Sequence, residues 1–199
     1  MTILLNNALL FLLQTVLGIL TLLFLLRFYF QLTKVSFQNQ AAQMIVSLTN
    51  FAVKPMRRVM VTLRNLGIAK LDISTFLLAY ITQLLLTVLT LWLKDFPLLI
   101  AGNSIWLTIL SVALIGVISM SITIFLYAVL IQAILSWVNP HTPIAPILNN
   151  LTHPILYFLR RFIPPAGNVD LSPLIFIIAA QLLLVTILIP LENSLLAIL

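Results

Sequence analysis

The sequence predicts an all-α membrane protein with four transmembrane helices. Of its residues 62% are hydrophobic and 7% are charged, whereas an average soluble domain has about 45–50% and about 25%. The apolar residues also form long unbroken runs, and they lack the periodic spacing of a half-buried helix or strand. A water-soluble fold of 199 residues could not cover itself with so few charges. Lipid is therefore the expected surrounding of these runs.

Four apolar segments meet or approach the length of about 20 residues that a membrane span needs. They are Ala8–Phe30, Ile73–Leu93, a stretch within Ile105–Val138, and Leu174–Ile189 with flanking residues up to Leu191. The third run would be about 51 Å long as one helix. Either Ile105–Ile115 lies partly at the interface with Gly116 as a bend, or the helix is strongly tilted. No Lys or Arg precedes the first run, so we expect a retained span and not a signal peptide.

Basic residues predict the orientation of the spans. Nine of the ten Lys and Arg residues lie at or between spans one and two or between spans three and four. They are Arg27, Lys34, Lys54, Arg57, Arg58, Arg64, Lys70, Arg160 and Arg161, with Lys94 as the exception. The positive-inside rule places these two loops in the cytoplasm and both termini on the other side. Trp92, Trp106 and Trp137 lie near span ends, as an aromatic belt requires.

Both cytoplasmic loops are predicted to be amphipathic and to lie along the membrane surface. The second loop has an apolar stripe at helical spacing: Ile144, Ile147, Leu148, Leu151, Ile155, Phe158, Leu159 and Phe162. The other side carries Asn149, Asn150, His153, Tyr157, Arg160 and Arg161. This pattern predicts that Leu151 faces lipid and Asn150 faces water. Pro154 leaves open whether one helix or two shorter ones form.

The two halves of the chain match each other. Leu48-Thr49-Asn50 followed by Arg57-Arg58 aligns with Leu151-Thr152-His153 followed by Arg160-Arg161, and Asp72-Ile73-Ser74 aligns with Asp170-Leu171-Ser172. Gln83-Leu-Leu-Leu likewise aligns with Gln181-Leu-Leu-Leu. We therefore predict two parallel repeats, over residues 1–93 and 105–199, joined by residues 94–104. Their axis should lie near the membrane normal, because each repeat leaves and returns to the same side.

The second loop resembles the signature of the YggT family, also called YlmG. The similarity lies in Ser136–Pro140, Leu151–Pro154, Leu159–Pro164 and Gly167–Pro173, and with the two-repeat plan it extends over nearly the whole chain. The first half departs from the signature: it has Asn39-Gln40 for Asn-Pro, Thr49-Asn50-Phe51 for Thr-x-Pro, and Met60-Val61 for Ile-Pro. The second copy is therefore the better candidate to carry a function. The resemblance implies a link to envelope and osmotic stress, to division genes and, in plastids, to cytochrome assembly.

The paired arginines and the Asp-x-Ser elements are the candidate contact residues for lipids or partners. They are Arg57, Arg58, Arg160, Arg161, Asp72, Asp170, Ser172, Pro173 and Gly167. The arginines can equally serve only to set the topology, and each would add about 1 kcal/mol of attraction to an anionic leaflet. Ser172 is predicted to be the N-cap of span four, with Pro173 as its first helical residue. We expect Arg160, Arg161 and Asp170 to form one unit that closes the second loop.

Gln83 and Gln181 occupy matching places inside spans two and four. Their amides are predicted to pack at the pseudo-symmetry axis, and a polar lining of a permeation route is the alternative. His141 and His153 each stand alone in their segments, so neither haem nor metal binding is expected. The sequence also lacks phosphate-binding glycine loops and nucleophile–base arrangements, and without cysteine it has no thiolate ligands.

Three classes of function are open to such a chain. The leading hypothesis is a structural, biogenesis or envelope-stress factor of the bacterial inner membrane, which binds anionic lipid head groups and partner membrane proteins through its Arg-Arg loops. The alternative is a channel or transporter component in osmotic or ion homeostasis. A membrane-bound enzyme lacks candidate residues. We expect neither a cofactor nor a nucleic-acid partner.

Overall fold

A computed structural model describes residues 2–65, 73–97, 103–139, 142–162 and 170–198. Over these ranges the protein is helical and contains no strand, which confirms the all-α prediction. The helices are α1 (Thr2–Leu32), α2 (Gln40–Asn65), α3 (Ile73–Leu93), α4 (Asn103–Val138), α5 (Ala145–Phe162), α6 (Ser172–Leu183) and α7 (Ile189–Ile198). A π-helical segment, Leu184–Leu188, joins α6 to α7.

Four helical stretches in the described part of the chain are long and apolar enough to cross a membrane. They are Leu4–Leu32, Ile73–Leu93, Ile105–Val138 and Ser172–Ala197. The four predicted spans are thus confirmed, and the fourth extends beyond Leu191 because the helix continues into α7. Helix α4 passes Gly116 without interruption, which favours one long helix over a separate interfacial segment.

Helix α3 packs against both α1 and α4, and α1 also contacts α4 directly. Helix α6 packs on α4. Among the described residues, no close backbone contact joins α1 to α6. The two terminal spans therefore each have one side that no other span of this chain covers.

The π-helical segment in the fourth span is explained by Pro190. Proline has no backbone N–H, and its ring would press against the carbonyl four residues earlier, which here belongs to Thr186. The backbone widens instead, and the N–H of Ile189 bonds to the carbonyl of Leu184, five residues back. The span can continue into α7 past a residue that would otherwise break or kink it.

Helices α2 and α5 lie at the same end of the bundle, which we call the basic end. The side-chain amide of Asn39, at the start of α2, donates to the carbonyl of Pro143, just before α5, at 2.6 Å. One apolar cluster joins α1, α2, α4 and α5 there: Phe30, Val35, Ala42, Ala128, Ile147, Leu148 and Leu151. A tight turn ends α1 and leads the chain towards α2. In this turn Lys34 takes a positive φ of 55°, and the N–H of Val35 donates to Phe30 O at 2.9 Å.

Candidate membrane-interface helices

Helix α5 is fixed to α4 through the hydroxyl of Thr152. This side chain is fully buried, and its Oγ1 lies within hydrogen-bond distance of Gln132 Oε1 on α4 and of Leu148 O on its own helix. The amide of Gln132 also donates to Asn149 Oδ1 at 2.7 Å. Gln132 therefore holds α5 through two side chains at successive turns. Pro154 lies inside α5, which is a single helix.

Helix α2 is fixed to α1 in a parallel way, with Arg27 in place of a glutamine. The guanidinium Nη1 donates to Thr49 Oγ1 at 2.7 Å, to Asn50 Oδ1 at 3.1 Å and to Val46 O at 3.3 Å. Arg27 is 4% exposed and Thr49 is fully buried. Burying a guanidinium is costly unless it is hydrogen-bonded, and these neutral oxygens supply that compensation at Nη1.

Sequence reasoning identified Arg27 only as one of the residues that set the topology and did not single out Gln132. A signal for both was present, since each lies near the end of a long apolar helix and is followed about twenty residues later by the threonine of the Leu-Thr pair. Because a polar side chain near the end of a span needs a partner, the pattern predicts an anchor for the following helix.

Asp170 closes the loop between α5 and α6. Its Oδ2 accepts from Arg160 Nε at 2.8 Å, and its Oδ1 accepts from the backbone N–H of Ser172 at 2.9 Å. The contact between Arg160 and Asp170 is therefore direct, as the sequence led us to expect. Arg161, the third member of the predicted unit, has an exposed side chain.

The predicted N-cap was wrong. Helix α6 begins at Ser172 itself, Leu171 stands in the cap position, and Pro173 is half-buried in the first turn. The carboxylate of Asp170, two residues before Ser172, instead accepts from the backbone N–H of Ser172 in the first turn of α6. This places a negative charge at the positive end of the helix dipole.

Burial and the contacts with Ser172 and Arg160 set the pKa of Asp170. Burial raises it, but the contacts with Ser172, above all its backbone N–H, and the hydrogen bond and charge of the Arg160 guanidinium lower it by more. The net result is a pKa below its ordinary value of 3.8. The carboxylate is therefore ionised at neutral pH, and the ion pair with Arg160 is present.

The remaining candidate residues are distributed along the basic end. Arg57, Arg58 and Arg161 are exposed, as is Lys54. Asp72 and Gly167 lie outside the described residues. Arg64 has no described side chain, and Lys70 and His141 are also outside the described ranges.

The apolar side chains of α5 do not all face lipid. Ile147, Leu148 and Leu151 are buried within the protein in the cluster at the basic end, so the prediction that Leu151 faces lipid was wrong. The reason is that residues of α1, α2 and α4 cover this part of its stripe. Further along, Phe158 and Phe162 are exposed, with ring centres 4.9 Å apart.

The two matching glutamines have different surroundings. Gln83 packs against Gly116 of α4, where an added Cβ would lie 2.3 Å from Gln83 Nε2. Its side chain fills the space above this glycine and so contributes to packing between α3 and α4. Gln181 is exposed on α6. A common place for both amides at one axis was therefore a wrong expectation.

The described histidine is not part of a metal-binding group. His153 is exposed and stacks on Tyr157, with ring centres 5.6 Å apart and an angle of 17° between the planes. Among residues whose structure is described, no three His, Asp or Glu side chains are placed to hold a metal ion.

Comparison with known proteins identifies the family. The CCB3/YggT family model matches residues 6–93 and again 111–191. An uncharacterized protein of Pseudomonas aeruginosa is 33% identical over 90% of this chain and 87% of its own length. The uncharacterized protein YggT of Escherichia coli K12 is 31% identical over 86% of this chain and 85% of its own. No solved structure matches. With its four apolar helices, the chain belongs to the YggT family and is a bacterial multi-pass membrane protein.

Proposed function

We propose that this protein is a non-enzymatic structural or biogenesis factor of the bacterial inner membrane, active in the response to envelope and osmotic stress. In this proposal α2 and α5 bind anionic head groups and partner membrane proteins through their arginines. The basic end faces the cytoplasm, because nine of the ten Lys and Arg residues fall at or between the spans that α2 and α5 connect. Both termini then lie outside the cytoplasm.

We further propose that the chain consists of two repeats. The parallel anchoring of α2 by Arg27–Thr49 and of α5 by Gln132–Thr152 supports this. So does the fact that one family model matches the chain twice. A repeated unit would present two interfacial helices to the same leaflet.

The division of α2 into three faces is the observation that carries the proposal. One face, with Ala42, Thr49 and Val53, is buried against the bundle. A second face is apolar and exposed, and it consists of Met44, Leu48, Phe51 and Val59. The third is polar and exposed, with Ser47, Lys54 and Arg58. At 3.6 residues per turn, the exposed apolar face is about 80° wide and borders directly on the basic one.

The three faces of α2 require three different surroundings: protein for the buried face, lipid for the apolar face and water for the polar face. A helix meets all three only where protein, lipid and water adjoin. The apolar face gains free energy when it leaves water, at about 25 cal/mol per Å². The adjacent cations remain at the level of the head groups, where each contributes about 1 kcal/mol in an anionic leaflet. The helix is about 39 Å long, so it can hold both contacts over several turns.

The position of α2 can be tested with site-directed spin labels, because the chain has no native cysteine. Single cysteines at Phe51 and Lys54 are labelled in vesicles containing phosphatidylglycerol. The label at Phe51 should be accessible to oxygen dissolved in lipid, and the one at Lys54 to a water-soluble nickel reagent. Replacing the anionic lipid by phosphatidylcholine should make the Phe51 label shallower. Equal water accessibility at both positions would contradict the proposal.

A separate experiment concerns the partners and the alternative function. Crosslinking and affinity capture from native membranes should recover a stoichiometric membrane protein, and the double variant Arg58→Gln and Arg161→Gln should reduce its recovery. Ion flux through proteoliposomes of the pure protein, at a rate above that of empty vesicles, would support the channel or transporter component instead.

A further inference from the structure

A small cavity lies between the last turns of α4 and the first turns of α5. Its volume is about 110 Å³, and half of its lining residues are polar and half apolar: Gln132, Ser136 and Asn149, and Leu135, Ala145 and Leu148. A water molecule takes up about 30 Å³ of the liquid, so the cavity has room for roughly three or four waters. One phosphate group is of this size, whereas a whole lipid is far larger.

The polar side chains of the cavity have hydrogen-bond donors without partners. Gln132 Nε2 uses one of its two hydrogens on Asn149 Oδ1, at 2.7 Å, and Gln132 Oε1 accepts from the Thr152 hydroxyl. Each amide oxygen therefore already accepts one hydrogen bond. Within the described ranges, neither Asn149 Nδ2 nor Ser136 Oγ donates to another protein atom. What the cavity can still offer a ligand is mainly N–H and O–H groups.

The surroundings of the cavity favour an acceptor with negative charge at the membrane surface. The described residues that line it include no Asp or Glu, and the carboxylate of Asp170 is already engaged by Arg160 and Ser172. Ser136 lies two residues before the end of α4. The next residue, Trp137, is 86% exposed, as is typical of a tryptophan at the boundary of membrane and water. Lipid phosphates lie at this boundary.

The first half of the chain has a different arrangement at the matching place. Val46 aligns with Asn149, and Arg27 stands in place of Gln132 as the anchor. The guanidinium of Arg27 is 4% exposed, and its Nη1 is bonded to oxygens of α2. The anchor of α2 is thus a buried cation next to a valine, whereas the anchor of α5 is a neutral amide next to a second amide. The donors of the cavity belong to the second half.

We propose that this cavity binds the phosphodiester group of a phospholipid. Asn149 Nδ2, Gln132 Nε2 and Ser136 Oγ donate to the phosphate oxygens, and Leu135 and Leu148 contact the adjoining glycerol carbons. A free phosphate ion would use the same donors but would gain nothing from the leucines. Because the donors are neutral, they do not select the charge of the head group. The inference therefore does not depend on the arginine contacts of the proposed function.

Native mass spectrometry of the delipidated full chain, with phosphatidylcholine added in a mild detergent, tests the site. The protein should retain one tightly bound lipid. Asn149→Asp keeps an oxygen for Gln132 Nε2 but replaces the donor NH₂ by a second oxygen, so it should weaken this binding about tenfold, the loss of about one hydrogen bond to a charged group. Asn150→Asp, the matched control, makes the same charge change one residue further on, outside the lining, and should leave binding unchanged. Equal weakening by both variants would overturn the proposal.

A second variant fills the cavity without changing the charge. Ala145→Leu should abolish the tight adduct, and Ala197→Leu, an exposed alanine at the other end of the bundle, should not. The unfolding temperature of each variant shows that it is folded, and if Ala145→Leu does not fold, the comparison of the two aspartate variants decides. Undiminished binding by both Asn149→Asp and a folded Ala145→Leu would mean that the cavity holds only water, and the proposal would be wrong.

Competition distinguishes a lipid from a free phosphate. Glycerophosphocholine, which lacks the acyl chains, and inorganic phosphate are each added at the concentration of the phosphatidylcholine. Neither should displace the bound lipid. Displacement by either compound would show that the cavity takes a free phosphate group, which would overturn the assignment to a phospholipid.

Discussion

Helices α2 and α5 share a sequence pattern but differ in what covers their apolar side chains. Thr49 and Thr152 occupy aligned positions, and both are fully buried and hydrogen-bonded to the preceding span. One residue earlier, Leu48 is 46% exposed and Leu151 is 2% exposed. One turn further back, Met44 is 63% exposed and Ile147 is 5% exposed. Both helices are held by the same buried threonine, but the aligned apolar side chains are buried in α5 and exposed in α2.

The neighbours of the two helices explain this difference. Helix α5 packs on α4 and α6 and also touches α1, whereas the backbone of α2 lies close to α1 and α3. Residues of α1, α2 and α4 cover the first half of the apolar stripe of α5. An amphipathic pattern thus requires that one face leave water, but it does not specify whether protein or lipid receives that face.

The largest expected effect is the difference in unfolding free energy between variants of Leu151 and Leu48. Leu151→Ala should lower the free energy of unfolding by about 2–5 kcal/mol, because it removes buried methyl groups and leaves a cavity. Leu48→Ala should cost well under half as much in detergent, since this side chain is partly exposed. Thermal unfolding of both variants in the same detergent measures the difference. Similar losses would mean that α2 is as fully covered as α5.

A second prediction compares the two anchors. Arg27→Leu should cost about 1.5–3 kcal/mol per charged hydrogen bond that is not replaced, and Gln132→Leu about 0.5–1.5 kcal/mol for each of its bonds. The larger effect of Arg27 follows from the charge on its guanidinium. Arg58→Leu is the matched control, because it removes an exposed arginine from the basic end. If Gln132→Leu proves the more damaging, α5 depends on its anchor more than α2 does.

The smallest effect is expected for the pair Arg160–Asp170. Both side chains are partly exposed, at 51% and 37%, so a double-mutant cycle with Arg160→Gln and Asp170→Asn should give a coupling of about 0.2–1 kcal/mol. Arg161→Gln in place of Arg160→Gln should show weaker coupling, since Arg160 makes the observed contact. Additive effects of Arg160→Gln and Asp170→Asn would show that the contact contributes nothing.

The pH dependence of this contact has a defined sign. Because the pKa of Asp170 is lowered in the folded protein, the contact stabilises the fold fully above the ordinary value of 3.8. The contribution is lost as the pH falls below 3.8 and through the lowered pKa. Asp170→Asn should therefore reduce the difference in unfolding temperature between pH 6 and pH 3, whereas Asp95→Asn, at the other end of the bundle, serves as the control.

The sequence by itself determined the number of spans and the positions of the loops. Long apolar runs permit few structures in a membrane, because every backbone polar group must be paired internally and helices achieve this locally. The contact of Asp170 with its arginine partner was also within reach, since nine or ten residues with two prolines and a glycine between them favour a turn. These features depend on residues that are close in the chain.

Only the tertiary structure decided which surfaces are covered. The burial of Leu151 depends on the end of α1, more than a hundred residues away in the sequence. The space that the Gln83 side chain occupies depends on Gly116 of the next span. The same holds for Gln181, which is exposed because, among the described residues, α4 is the one span that α6 packs against. Hydrophobicity fixes how much apolar surface a helix must hide, but the arrangement of its neighbours fixes what hides it.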